Sequence, residues 1–208
     1  MASGNEGQKI EADRLAPMPL SERKGFPVLL TLRLIAFFAT ASATIVMALN
    51  KERKALVVAT IGSTPVEATL SAKFQDTPAF VFFVVANAMA SLHNLLMMAL
   101  ETFGDSFDCK GMRLIVIAIL DMMTVVLASG ADGAAVFMAD LGKNGNTHAR
   151  WNKICDKFET YCDQGGGALI ASSVGLLLLL LITALSIMRL LKPNPKPIPH
   201  NNNLVTIP

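Results

Sequence analysis

Four long apolar tracts run through this chain, from Val28 to Leu49, Ala79 to Leu100, Met112 to Met138 and Ala168 to Leu191, with short polar segments between them. Each meets the roughly 20 mostly apolar residues that a helix rising about 1.5 Å per residue needs to cross a bilayer. The pattern predicts an all-α fold, a four-helix transmembrane bundle occupying residues 26–191. The flanks differ from it. Residues 1–25 mix charges with Gly and Pro, carry no apolar h-region of a cleavable signal peptide, and are expected to form a disordered tail. Residues 192–208 alternate Pro193, Pro195, Pro197 and Pro199, which cannot hold a helix and favour an extended tail.

Composition agrees: 52% of residues are apolar, 16% are charged, and the mean hydropathy is +0.48. A net charge of +2, with no Lys/Arg run longer than Arg23-Lys24, argues against nucleic acid as a partner. The chain has no GxSxG elbow, no phosphate-binding GxxxxGK loop, no HExxH and no CxxC. No catalytic constellation can be assembled from His93, His148 and His200, so the expectation is a non-enzymatic protein with no metal and no cofactor.

The sharpest feature is a pair of ionisable residues inside apolar tracts, Arg33 in the first and Asp121 in the third. An unpaired charge there costs about 2.5 kcal/mol or more. Counted from their entries on the same membrane side, the two lie at compatible depths, which predicts a bidentate ion pair joining the first helix to the third. The bland alternative is an Arg33 that snorkels to the interface beside a protonated Asp121. Asp132 lies eleven residues beyond Asp121, about three turns, so both carboxylates share a face some 16 Å apart. With the Asn87, Ser91 and Asn94 face of the second helix, Asp121 and Asp132 also define an alternative function, an oligomeric channel or proton-coupled transporter. Small residues at intervals of four (Ala36, Thr40 and Thr44; Gly130 and Ala134; Gly167, Ala171 and Gly175) suit close helix packing. His93 is offset from the polar face and has no second metal ligand at helical spacing.

Orientation is weakly signalled, because Lys and Arg are divided almost evenly between the two sides. Cysteines discriminate better. Cys155 and Cys162 share the loop before the fourth tract, whereas Cys109 stands alone in the turn after the second. Disulfides persist in oxidising compartments, so a loop pair outside and a lone thiol inside is the consistent arrangement, with both termini cytoplasmic. The pair is either bonded or free; if bonded, residues 156–161 must bend, since seven residues of straight helix hold the Cα atoms about 10 Å apart.

An ordered set of short motifs supports a resemblance. Arg33, Asp76-Thr77-Pro78-Ala79-Phe80 leading into Val84-Val85-Ala86-Asn87, Asp121, Leu127-Ala128-Ser129-Gly130-Ala131, Gly145-Asn146, Trp151, Ile154-Cys155, Phe158 and Cys162 together resemble the plant Casparian strip membrane domain protein-like family, four-helix proteins related to MARVEL domains. The segment Ala68 to Pro78 lacks the first-loop signature of the Casparian-strip members proper, which points to the "-like" members of the first subgroup. The resemblance implies a plasma-membrane scaffold that organises a membrane domain linked to local cell-wall modification. It implies homodimers and heterodimers with family members, and cell-wall-modifying enzymes as further partners. It maps the family's arginine and aspartate onto Arg33 and Asp121 and its outer-loop cysteines onto Cys155 and Cys162. In this reading the second outer loop presents Trp151 and Phe158 to partners.

Overall fold

The computed structural model describes residues 20–103 and 110–191; both expected tails and Cys109 lie outside the described residues. Four helices, α1 (Leu20–Leu49), α2 (Pro78–Phe103), α3 (Lys110–Asn144) and α4 (Glu159–Leu191), form the bundle. All four contain stretches long and apolar enough to cross a membrane, so this is a four-span membrane protein.

Each helix buries one seam. In α1 the buried positions are Leu29, Arg33, Ala36, Thr40, Ala43 and Met47; in α4 the seam is Ala168, Ser172, Gly175, Leu179, Ile182 and Ser186, with Tyr161, Leu169 and Thr183 also buried. Steps of four and three repeat throughout, the 3.5-residue period by which side chains interdigitate in a left-handed bundle. In α2 the seam carries Phe80, Phe83, Asn87, Ala90, Asn94 and Met97, and in α3 Ala118, Asp121, Ala128, Asp132 and Ala135. Lipid tails are as apolar as leucine, so the hydrophobic effect does not draw these helices together; close packing and polar ties must do so. The seams supply both, because small residues alternate with the polar ones. At Gly175 a Cβ would lie 2.9 Å from Thr40 Cγ2, so α1 and α4 meet where no side chain intervenes. A Cβ at Gly130 or Gly167 would meet nothing within 4 Å, and these glycines are not points of close helix approach.

The helices extend beyond the apolar tracts, most of all α4, which begins nine residues before Ala168. One element falls outside an all-helical expectation. Between α1 and α2, strands β1 (Lys51–Ile61) and β2 (Thr64–Lys73) form an antiparallel hairpin with Lys51 opposite Lys73 and Ile61 opposite Thr64, bulged between Val57 and Ala59. Gly62, at φ +65°, opens its two-residue turn, where such hairpins require positive φ. The strand signal is present in the sequence: Val66, Ala68, Leu70 and Ala72 alternate with Glu67, Thr69, Ser71 and Lys73, a period of two.

Candidate functional site: charged and neutral polar clusters within the bundle

Arg33 and Asp121 meet inside the bundle at the end nearer the chain termini. Arg33 Nη1 donates to Asp121 Oδ1 at 3.0 Å and Nη2 to Oδ2 at 2.8 Å, a two-pronged pair with both side chains almost fully buried. The guanidinium fork matches a carboxylate in geometry as well as charge. Three further groups join it. Nε of Arg33 donates to Glu101 Oε1 at 3.3 Å, His93 Nε2 lies 2.8 Å from Asp121 Oδ1, and the Ser186 hydroxyl donates to Asp121 Oδ2 at 3.0 Å. An ionised carboxylate only accepts, so His93 carries its proton on Nε2 in this contact. Asp121 on α3 is therefore held by Arg33 of α1, His93 of α2 and Ser186 of α4. One carboxylate ties all four helices. Arg189, near the end of α4, lies within electrostatic reach of Glu101, which sets two cations against two carboxylates at this end.

Sequence reasoning did not assign His93, Glu101 or Ser186 to this cluster. Depth would have found His93, because it stands ten residues before the end of α2 and Asp121 eleven after the start of α3, at matching heights in antiparallel neighbours. Glu101 lies one residue beyond the apolar tract and reads as an interface charge.

A second polar cluster lies farther along the same bundle. Asp132 Oδ1 accepts from the Ser172 hydroxyl at 2.6 Å, and Asn87 Oδ1 lies 2.8 Å from that same hydroxyl. One hydroxyl has one hydrogen, so it serves one of the two acceptors at a time. Asn87 Nδ2 donates to the Phe83 carbonyl, while Asp132 Oδ2 is buried with no hydrogen-bond partner. Among the described residues no cation lies within ion-pair distance of Asp132. Asn94 bonds back to the Ala90 carbonyl and Ser91 to that of Ala88, so the polar face of α2 is largely occupied within the protein.

The opposite end is closed by covalent and capping ties. Cys155 and Cys162 form a disulfide with Cα atoms 5.6 Å apart, and the chain turns at residues 155–157 before α4 begins, which provides the bend that spacing demands. Trp151 is about half exposed beside a tight turn in which Asn146 and Trp151 pair through their backbones. A Cβ on Gly145, at φ +68°, would lie 2.8 Å from the Trp151 carbonyl, so only glycine fits there. Phe158 corrects the expectation of a partner-facing ring. The turn after Cys155 folds it inward, 7% exposed, into a core with Met47, Phe80, Phe83 and Tyr161. Two residues anchor the hairpin to α4. Asn50 Nδ2 donates to the Tyr161 carbonyl at 2.8 Å, and Glu52 Oε2 accepts the Tyr161 N–H at 2.8 Å, satisfying a first-turn donor that α4 itself leaves open. The Lys54 ammonium, with that backbone N–H, holds the Glu52 carboxyl below its ordinary value.

Comparison of the sequence with known proteins points to one family. The Casparian strip membrane protein domain matches residues 22–178. CASP-like protein 1B2 of Populus trichocarpa is 69% identical over 81% of this chain and 85% of its own length. CASP-like protein 1B1 of Glycine max is 59% identical over 93% and 99%, and CASP-like protein 1B1 of Arabidopsis thaliana 61% identical over 82% and 87%. No solved structure matches the chain. The domain match across three of the four helices and into the fourth, with this identity along nearly whole relatives, means that the chain belongs to the Casparian strip membrane protein family.

Proposed function

We propose that this chain is a non-enzymatic, multi-pass plasma-membrane protein that oligomerises, with itself and with family relatives, to organise a membrane domain linked to local cell-wall modification. The observation that carries this reading is how the polar residues of the spans are used. Arg33, His93, Asp121, Ser186, Asn87, Asp132 and Ser172 bond to one another across helices, so they fasten the bundle and leave an apolar outer face for lipid and neighbouring bundles. The relatives' shared name with the Casparian strip supports the organising role. The disulfide on the side away from the termini supports cytoplasmic termini, since such bonds persist in oxidising compartments. The hairpin and the turn bearing Trp151 then face outward as the surfaces offered to cell-wall-modifying enzymes.

The test is the assembly state and mobility of the fluorescently tagged full chain in plant plasma membrane. Stepwise photobleaching in twos or more, with patches that recover slowly, is expected. Freely diffusing single copies would overturn the reading.

A further inference from the structure

The base of the hairpin holds a cavity that the bundle's own chemistry does not use. It has a volume of about 280 Å³, and three cations converge on it: Lys51, Arg53 and Lys73. Lys51 and Lys73 stand directly opposite each other in the ladder, and Arg53 is two residues farther along the same face. Like charges facing each other across strands destabilise a hairpin, so this arrangement is costly in isolation. Glu52 and Asp76, the acidic neighbours in sequence, do not line the cavity, and Glu52 is engaged by Lys54 and the Tyr161 N–H. Among the described residues, none of the three cations has a carboxylate within ion-pair distance. The polar lining is completed by Gln75 and by Asn50, which is 1% exposed and whose Oδ1 is buried without a donor.

Position identifies the ligand. Asn50 directly follows the span ending at Leu49, and Gln75 stands three residues before the span beginning at Pro78, so the cavity sits at the height of the lipid headgroups. We propose that it binds the phosphate of an anionic lipid headgroup in the leaflet opposite the chain termini, with phosphatidylglycerol as the probe of that chemistry. The phosphate neutralises Lys51, Arg53 and Lys73, as anionic headgroups do for basic residues at a membrane surface. The site also explains why Lys and Arg counts orient this chain so poorly: the cations of the first loop answer to a local anion.

Native mass spectrometry of the full chain in mild non-ionic detergent, titrated with short-chain phosphatidylglycerol, phosphatidylcholine or glycerol 3-phosphate, tests the site. Phosphatidylglycerol is expected to bind at least about tenfold more tightly than phosphatidylcholine, each cation contributing about fivefold. The triple variant K51Q/R53Q/K73Q should lose roughly a hundredfold in phosphatidylglycerol affinity on that basis, while its thermal unfolding without lipid is no lower than that of wild type, because the facing cations are gone. K54Q, which alters a cation outside the cavity, should leave affinity unchanged. Four outcomes overturn the proposal: equal binding of the two lipids, unchanged affinity in the triple variant, a loss in K54Q as large as in K51Q, or glycerol 3-phosphate binding as tightly as the lipid.

Discussion

The two buried aspartates of α3 stand eleven residues apart on one seam and are held by opposite means. Asp121 has a guanidinium, an imidazole and a hydroxyl around it, one from each of the other helices, while Asp132 has a serine hydroxyl, an amide oxygen competing for it and one oxygen with no partner. The end near the termini is fastened by charge. The other end is fastened by neutral hydrogen bonds, an aromatic core, a disulfide and a capped helix start. A charge cluster is costly to assemble and costlier to break, because removing one partner strands the other in a medium that cannot solvate it. The neutral end spreads its stabilisation over many weaker ties, so no single loss should be as damaging.

This asymmetry orders the expected effects. Arg33→Leu leaves Asp121 and Glu101 without their shared cation and should cost about 3 to 5 kcal/mol, seen as lost accumulation in the membrane and a lower unfolding temperature in detergent. Arg33→Leu combined with Asp121→Leu should cost clearly less than the two single losses added together, since the second change removes the carboxylate the first one strands; a loss equal to that sum would show that the pair contributes no mutual stabilisation. Next is the disulfide. Replacing Cys155 and Cys162 by Ser together should cost about 2 kcal/mol, as fits a short closed loop, measured by thermal unfolding under conditions that leave wild type oxidised. Asp132→Asn should cost about 1 kcal/mol or less, the scale of a hydrogen bond between membrane helices, because the amide still accepts from Ser172. Asp121→Asn should cost several times more; equal costs at the two positions would erase the distinction between the ends.

The smallest effect belongs to Glu52. Its carboxyl titrates below the ordinary 4.5 because Lys54 and the Tyr161 N–H favour the ionised form. The stabilisation it gives is fully present above that ordinary value and is lost as pH falls below it through the lowered one. Unfolding of Glu52→Gln should therefore differ slightly from wild type at pH 7 and converge with it in acid.

Much of this was legible without coordinates. Four spans follow from tract length, and charge within lipid requires a partner, so Arg33 and Asp121 could be paired by depth along the chain alone. Periodicity also carried the seams, since polar and small residues recur at intervals that only one helical face can satisfy. What escaped is informative in each case. The hairpin has an alternating pattern, but it lies between much stronger apolar signals. Phe158 reads as an exposed loop aromatic until the turn after Cys155 folds it under the loop.

The sequence by itself determined the number of spans, the burial of one face on each helix and the need for a countercharge, because the bilayer excludes water and admits few solutions. Only the tertiary structure decided that Asp121 is shared among four helices while Asp132 meets neutral groups, and that three cations close on one cavity at the hairpin base. Those outcomes depend on the rotation and height of one helix against another, and on how a loop folds back. They are set by contacts between residues distant in the chain, which no local spacing encodes.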